Sequence, residues 1–167
     1  PPVTRVRDEQ LLGLAVSAPA ALEEAIAFAL EKEFDVLLLD GTGGLGSAWP
    51  ELAGAPNLAM LRDAVRILRR LNREEDIEVI NFGGARSGTD AAKLIALGCM
   101  AVVYAMPIGL AAGGEITDGR TLTFASNYTD EDRQSAVANI LAACSAEASM
   151  MARCTGKTNL HNLEPED

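Results

Sequence analysis

NFGGARSGTDAAKLIALGCMAVVYA, residues 81–105, carries the order of elements that decides the fold. The stretch Ile77 to Ile80 leads into it and reads as a strand. Gly83-Gly84 breaks that run, and Ser87 with Asp90 three residues on reads as an S-x-x-D helix start. Ala91 to Leu97 continues at helical spacing, and Met100 to Tyr104 returns to a short apolar strand. Strand, glycine turn, helix and strand make a βαβ unit, whose right-handed crossover sets the strands parallel. N–H groups of the glycines and of the first helical turn point at whatever lies above the strand end, which is an anion site with Arg86 beside it. The plainer alternative is a glycine turn with Arg86 as a solvated surface residue.

Working outward, the same alternation recurs. Leu11 to Val16 reads as a buried strand, and residues 19–32 as a helix with Leu22, Ala25, Ile26, Ala29 and Leu30 on one face. Val36 to Leu39 is uninterrupted and branched, as in a parallel strand covered on both faces. Leu58, Leu61, Val65, Leu68 and Leu71 mark the next helix. Residues 109–128 form a polar, Gly-rich excursion, and 129–156 a long Ala-rich C-terminal helix. Two architectures fit: a doubly wound open sheet, or part of a (β/α)8 barrel, which normally takes ~250 residues. The expected class is α/β, a parallel (β/α) barrel that is partial, with about four βα units in one domain over residues 1–167.

The totals exclude several function classes. At a net charge of −10, the chain lacks the positive field that nucleic acid or an anionic membrane requires. No apolar stretch reaches the roughly 18 residues of a bilayer span, and nothing at the start resembles a signal peptide, so a cytoplasmic location is expected. The opening Pro1-Pro2 without Met suggests a segment of something longer or a processed product. Cys99, Cys144 and Cys154 form no close C-x-x-C pair, so neither a disulfide framework nor a metal site is expected.

A second glycine cluster follows Val36 to Leu39. Asp40 is followed by Gly41-Thr-Gly43-Gly44-Leu-Gly46, a literal G-x-G-x-x-G. A dinucleotide fingerprint needs its third glycine to enter a helix, yet Gly46 leads into Ser-Ala-Trp49-Pro50 and on to Gly54-Ala-Pro56. The segment reads instead as an extended loop at a strand's C-terminal end, its glycines letting backbone approach a flat ligand ring or a substrate carboxylate; a tight connection without a ligand is the alternative. Asp40, ending a buried strand at that face, is the candidate catalytic residue for general acid–base work; a turn-capping aspartate is the equal alternative.

Other patterns have ordinary explanations. Thr155-Gly156-Lys157-Thr158 resembles a P-loop end, but Met151 stands where its first glycine belongs, so it reads as a helix C-cap. His161 lies in a polar tail with no nucleophile beside it. Arg62, Arg66, Arg69, Arg70 and Arg73 read as the solvated face of an amphipathic helix. Met150-Met151 reads as core.

DGTGGLGSAWP, GGARSGTDAAKLIALG and the closing HNLEPED together resemble the flavin-binding barrel domain of the glutamate synthase family, above all its stand-alone subunits of the N-methylglutamate synthase type. The resemblance covers about residues 35–167. It implies FMN across the strand ends, its phosphate at Gly83, Gly84 and Arg86 with Ala105 and Met106 closing the site. The loop of Gly43, Gly44 and Gly46 would lie near the isoalloxazine and a small amino-acid substrate. Departures are Leu45 in place of the family's Thr and Ala105-Met106 in place of a Gly-Thr pair. Two further family features have no counterpart: the iron–sulfur cysteines between 106 and 130, and a lysine in the first strand.

Two function classes follow. One is an FMN-dependent oxidoreductase doing amino-group chemistry that forms glutamate or N-methylglutamate, including a methylamine–glutamate N-methyltransferase type. The other is a flavin-free barrel remnant acting as a scaffold subunit. A homo-oligomer or a place in a larger complex is expected for either.

Overall fold

The structure is a computed structural model that describes residues 5–7, 9–43, 49–52, 56–119, 121–124 and 127–167. Four strands, β1 (Gly13–Val16), β2 (Val36–Asp40), β3 (Glu78–Phe82) and β4 (Ala101–Val103), form one sheet in the order β1-β2-β3-β4. Every pairing is parallel. The helices α1 (Leu22–Glu31), α2 (Ala59–Leu71) and α3 (Gly88–Ala96) make the crossovers. Strand order that follows chain order without reversing is that of a barrel wall, since a doubly wound sheet changes direction at its switch point. The chain is a partial (β/α) barrel.

Pleating puts alternate residues on opposite faces. Leu37 and Leu39 of β2 and Val79 of β3 point into the helix-covered core with Ile26, Ala29, Leu61, Ala64, Leu68 and Leu94, all buried. Leu38, Ile80 and Phe82 face the other way and are half-buried. Each fully covered aliphatic side chain contributes about 1.5–3 kcal/mol. Amphipathic α2 buries Met60, Leu61, Ala64, Val65 and Leu68, while Leu58 and Leu71, the ends of the sequence stripe, are exposed. Its outward arginines pair with acids, Arg62 with Asp63 and Arg70 with Glu23, and just past its end Arg73 pairs with Asp76.

Element boundaries moved for identifiable reasons. Pro19 starts a short 3-10 turn through Ala21, so α1 begins at Leu22 and not at 19. The strand expected to reach Tyr104 stops at Val103. Ala105 and Met106, expected at a strand end, are the N-cap and first residue of a further helix, α4 (Met106–Ala111). Pro107 favours that start, because its fixed φ and missing N–H suit the first helical turn. The segment expected as a polar excursion, 109–128, holds the end of α4 and an antiparallel hairpin, β5 (Gly114–Thr117) with β6 (Thr121–Phe124).

The C-terminal helix α5 spans Asp130–Cys154. Thr129 caps it: its hydroxyl accepts from the N–H of Asp132, whose carboxylate accepts from the Thr129 N–H in return. Gly156, at φ +79°, closes the far end, as a helix C-cap requires. The sequence showed no uninterrupted apolar run of bilayer length; α5 is nevertheless long and apolar enough to span one by length and composition. Its small-residue face packs on α3, where a Cβ added to Gly88 would stand 2.1 Å from the Cys144 carbonyl oxygen.

Candidate functional site

The site forms where β2 and β3 end. Gly83 and Gly84 both adopt left-handed backbone, at φ +81° and +85°, which only glycine enters without strain. Their surroundings exclude side chains as well. A Cβ on Gly83 would lie 2.7 Å from Thr42 Cγ2 and 3.7 Å from Glu51 Cγ, and one on Gly84 would lie 2.9 Å from Pro56 Cγ. The loop after β2 therefore folds down on the loop after β3.

Between them lies a cavity of about 370 Å³ lined by Glu51, Pro56, Leu58, Gly84, Ala85, Arg86, Met106 and Pro107. Its walls are largely aliphatic, with few polar groups. The N–H groups of Gly84 and Ala85 have no hydrogen-bond partner among the described residues. The Met106 N–H approaches Glu51 Oε1 at 3.4 Å, a long and weak contact. Glu51 Oε2 is buried and makes no hydrogen bond.

The first turn of α3 is already filled. Ser87 Oγ accepts from the Asp90 N–H at 3.2 Å, as the S-x-x-D pattern predicts. The Asp90 carboxylate reaches back one residue further than a capping box does, accepting from the Arg86 N–H at 3.0 Å. Glu147, one helix away on α5, accepts from the Gly88 N–H at 2.8 Å and from the Thr89 hydroxyl. Those bonds, the Thr89 hydroxyl first, hold its carboxyl below the usual carboxylate value. Tyr104 donates to the Ser87 carbonyl at 2.9 Å and ties the helix start to the end of β4. Burial, with Cys144 beside it, pushes the Tyr104 hydroxyl up to about 12. The amides left without a partner are those of Gly84 and Ala85, two residues of the cavity lining upstream of the helix itself.

Asp40 is fully buried at the end of β2. Its Oδ1 accepts from both the N–H (2.9 Å) and the hydroxyl of Thr42, which is the turn-capping geometry, while Oδ2 is buried without a partner. Asp40 does not line the cavity.

Among the residues singled out by sequence, Gly84, Arg86 and Met106 share the cavity wall, Gly83 abuts it through Thr42 and Glu51, and Ala105 directly precedes Met106. The Arg86 side chain points outward at 84% exposure and pairs with Asp90 at 3.5 Å. Gly43 stands open at φ +71°, with nothing within 4 Å of an added Cβ; Gly44, Leu45 and Gly46 lie outside the described residues. Trp49 packs its ring on Phe124 and over Gly109, holding α4 and the hairpin against the loop. His161 bonds the Met100 carbonyl at 2.9 Å, anchoring the C-terminal tail at the start of β4.

Glu51 and Glu147 were missed. Both carried a signal: Glu51 is the sole acidic residue between Asp40 and Asp63, and Glu147 the sole charge between Arg133 and Arg153. A lone charge in an apolar stretch has a partner to find.

Comparison with known proteins agrees with the fold and shows the family. A family described as the conserved region in glutamate synthase matches residues 6–117. A glutamate synthase large subunit-like protein of Rhizobium meliloti (strain 1021) is 34% identical over 177 residues, covering 84% of this chain and 39% of that protein. The chain thus spans well under half the length of that relative. Among solved structures, the recombinant flavin-binding domain of baker's yeast flavocytochrome b2 superposes with a TM-score of 0.65 at 22% identity, over 95% of this chain and 34% of that one. Mandelate oxidase with benzoyl-formic acid gives a TM-score of 0.62 at 19% identity, over 94% and 38%. At that identity the two structures speak for the fold alone.

Proposed function

The chain belongs to the glutamate synthase family, and on that premise we propose that it is the FMN-binding part of an oxidoreductase that forms glutamate or N-methylglutamate. The observation that carries the reading is the pair of unpartnered amides at Gly84 and Ala85 on the wall of a cavity at the strand ends. Left-handed glycines that admit no side chain, next to free N–H donors, suit a phosphate oxygen. FMN, when bound, supplies or accepts the hydride.

Everything else falls to this chain's own residues. Gly83 and Gly84 let the backbone turn sharply so that amides, not side chains, meet the phosphate. Pro56, Leu58 and Pro107 keep water from the cavity wall. Arg86 gives the mouth a positive charge, shared with Asp90. Asp40 is proposed as the catalytic residue: Thr42 orients Oδ1 and leaves Oδ2 with unused acceptor capacity. The glycine loop at 43, 44 and 46 is assigned to the ring and an amino-acid substrate, and an amine such as methylamine is the assigned co-substrate of the N-methylglutamate variant. The reading places the protein in the cytoplasm, in a homo-oligomer or larger complex.

A scaffold without flavin is the second reading, and one observation favours it: the N–H groups at 86, 88 and 90 already serve Asp90, Glu147 and Ser87. The visible spectrum of the purified full-length protein separates the two. Flavin absorbance, with FMN released on denaturation, supports the first; a colourless protein that takes up no added FMN supports the second.

A further inference from the structure

We propose that Glu51 sets the anion affinity of the cavity by acting as the chain's own anion there, which an incoming phosphate must displace. The inference rests on the proposed FMN site and adds a residue to it.

Three observations place Glu51 in competition with a phosphate. First, it lines the same cavity as Gly84, Ala85, Arg86 and Met106. Second, its Oε1 takes the Met106 N–H at 3.4 Å, a donor that a phosphate at this site would also use. Third, its Oε2 is buried with no hydrogen bond, so the carboxylate is poorly satisfied where it sits.

A buried carboxylate oxygen without a donor is costly, and a 3.4 Å contact returns little of that cost. The resting position is therefore held weakly and can be vacated. Leaving it in place while a phosphate binds would set two anions in one small cavity of low polarity, where like charges repel strongly. Gly83 fixes this geometry from behind: it sits against Thr42 Cγ2 and Glu51 Cγ, so the glutamate stem reaches the cavity past a residue with no side chain. A ligand that lacks the phosphate has no such conflict. Glu51 thus selects on charge, weakening phosphate-bearing ligands relative to neutral ones of the same shape.

The test compares FMN with riboflavin, which shares the ring and ribityl chain but carries no phosphate, by fluorescence titration of the full-length protein. Glu51→Gln keeps the side chain's size and removes its charge; Glu51→Ala removes both, and circular dichroism of each variant verifies folding. Expected is about tenfold tighter FMN binding in both variants, with riboflavin affinity changed less than about twofold. Inorganic phosphate should likewise compete with FMN at lower concentration in the variants. Unchanged or weaker FMN binding in Glu51→Gln would overturn the role of Glu51 while leaving the FMN site standing. Equal tightening for riboflavin would overturn selection on phosphate charge, and tightening confined to Glu51→Ala would show that Glu51 acts by volume. Failure of wild type and both variants to bind FMN at all would overturn the FMN site, and this inference with it.

Discussion

Glu147 of α5 accepts a hydrogen bond from the backbone N–H of Gly88, the first residue of α3, at 2.8 Å. A carboxylate there meets the positive end of the helix dipole and one of its orphan amides. The same bond fastens the C-terminal helix to the barrel wall, so the two elements stand or fall together.

That fastening is sensitive to acid. The Glu147 carboxyl is held below its ordinary 4.5 by Thr89 and then Gly88, and Asp132, in the cap of α5, is held below 3.8 by the Thr129 hydroxyl and N–H. A depressed carboxyl stabilises the fold fully above its unfolded value and loses that contribution as pH falls through the folded one. Stability should therefore drop below about pH 4.5, and Glu147→Gln should lower the Tm by a few degrees at pH 7. The gap between variant and wild type should close as pH falls toward 3. Thermal melts followed by circular dichroism at both pH values read this out, and a gap that persists at low pH contradicts it.

Gly88 is tested by collision and Gly156 by strain alone. A Cβ on Gly88 would meet the Cys144 carbonyl oxygen at 2.1 Å and the Ala148 nitrogen at 2.7 Å, both backbone atoms that cannot swing aside. Gly88→Ala should cost ~3 kcal/mol by pushing α5 off α3. Gly156 has open space around it and a φ of +79°, so Gly156→Ala should cost only about 1 kcal/mol. Urea denaturation of both variants gives the two values; equal costs would mean that the helices do not cross as closely as described.

The cysteines should react unequally. Burial pushes the Cys99 thiol up to about 12, Cys144 is buried, and Cys154 is exposed. Since the thiolate is the reactive form, native protein treated with iodoacetamide at pH 8 should be modified at Cys154, with Cys99 and Cys144 reacting after denaturation. Mass spectrometry of peptides from both samples decides it, and rapid native labelling of Cys99 would contradict the packing beneath β4.

Much of the architecture was legible because its signals are local. Val36 to Leu39 is too apolar and branched to be anything but a covered strand, Ile77, Val79 and Ile80 mark a strand around the exposed Glu78, and Ser87 with Asp90 announces α3. The rest depended on contacts that no local pattern encodes. Pro107 looks like a breaker after an apolar strand, yet it starts α4, and this moved Ala105 and Met106 from a strand end to a helix start. The hairpin at 114–124 buries little of its own sequence: Leu122 is buried, while Ile116 and Phe124 stay exposed, so it shows weak alternation. For the site, Gly83 and Gly84 announced a special backbone, but two of the carboxylates that meet nearby amides come from 51 and 147, far away in sequence. Their identity as lone charges was visible; their destination was a tertiary matter.

A crystal structure of the full-length protein soaked with FMN shows whether the amides of Gly84 and Ala85 receive the phosphate. Phosphate oxygens are expected about 2.7–3.2 Å from both nitrogens, with the Glu51 carboxylate moved off Met106. Flavin density whose phosphate lies elsewhere, with Glu51 still against Met106 and both amides unpaired, would contradict that placement.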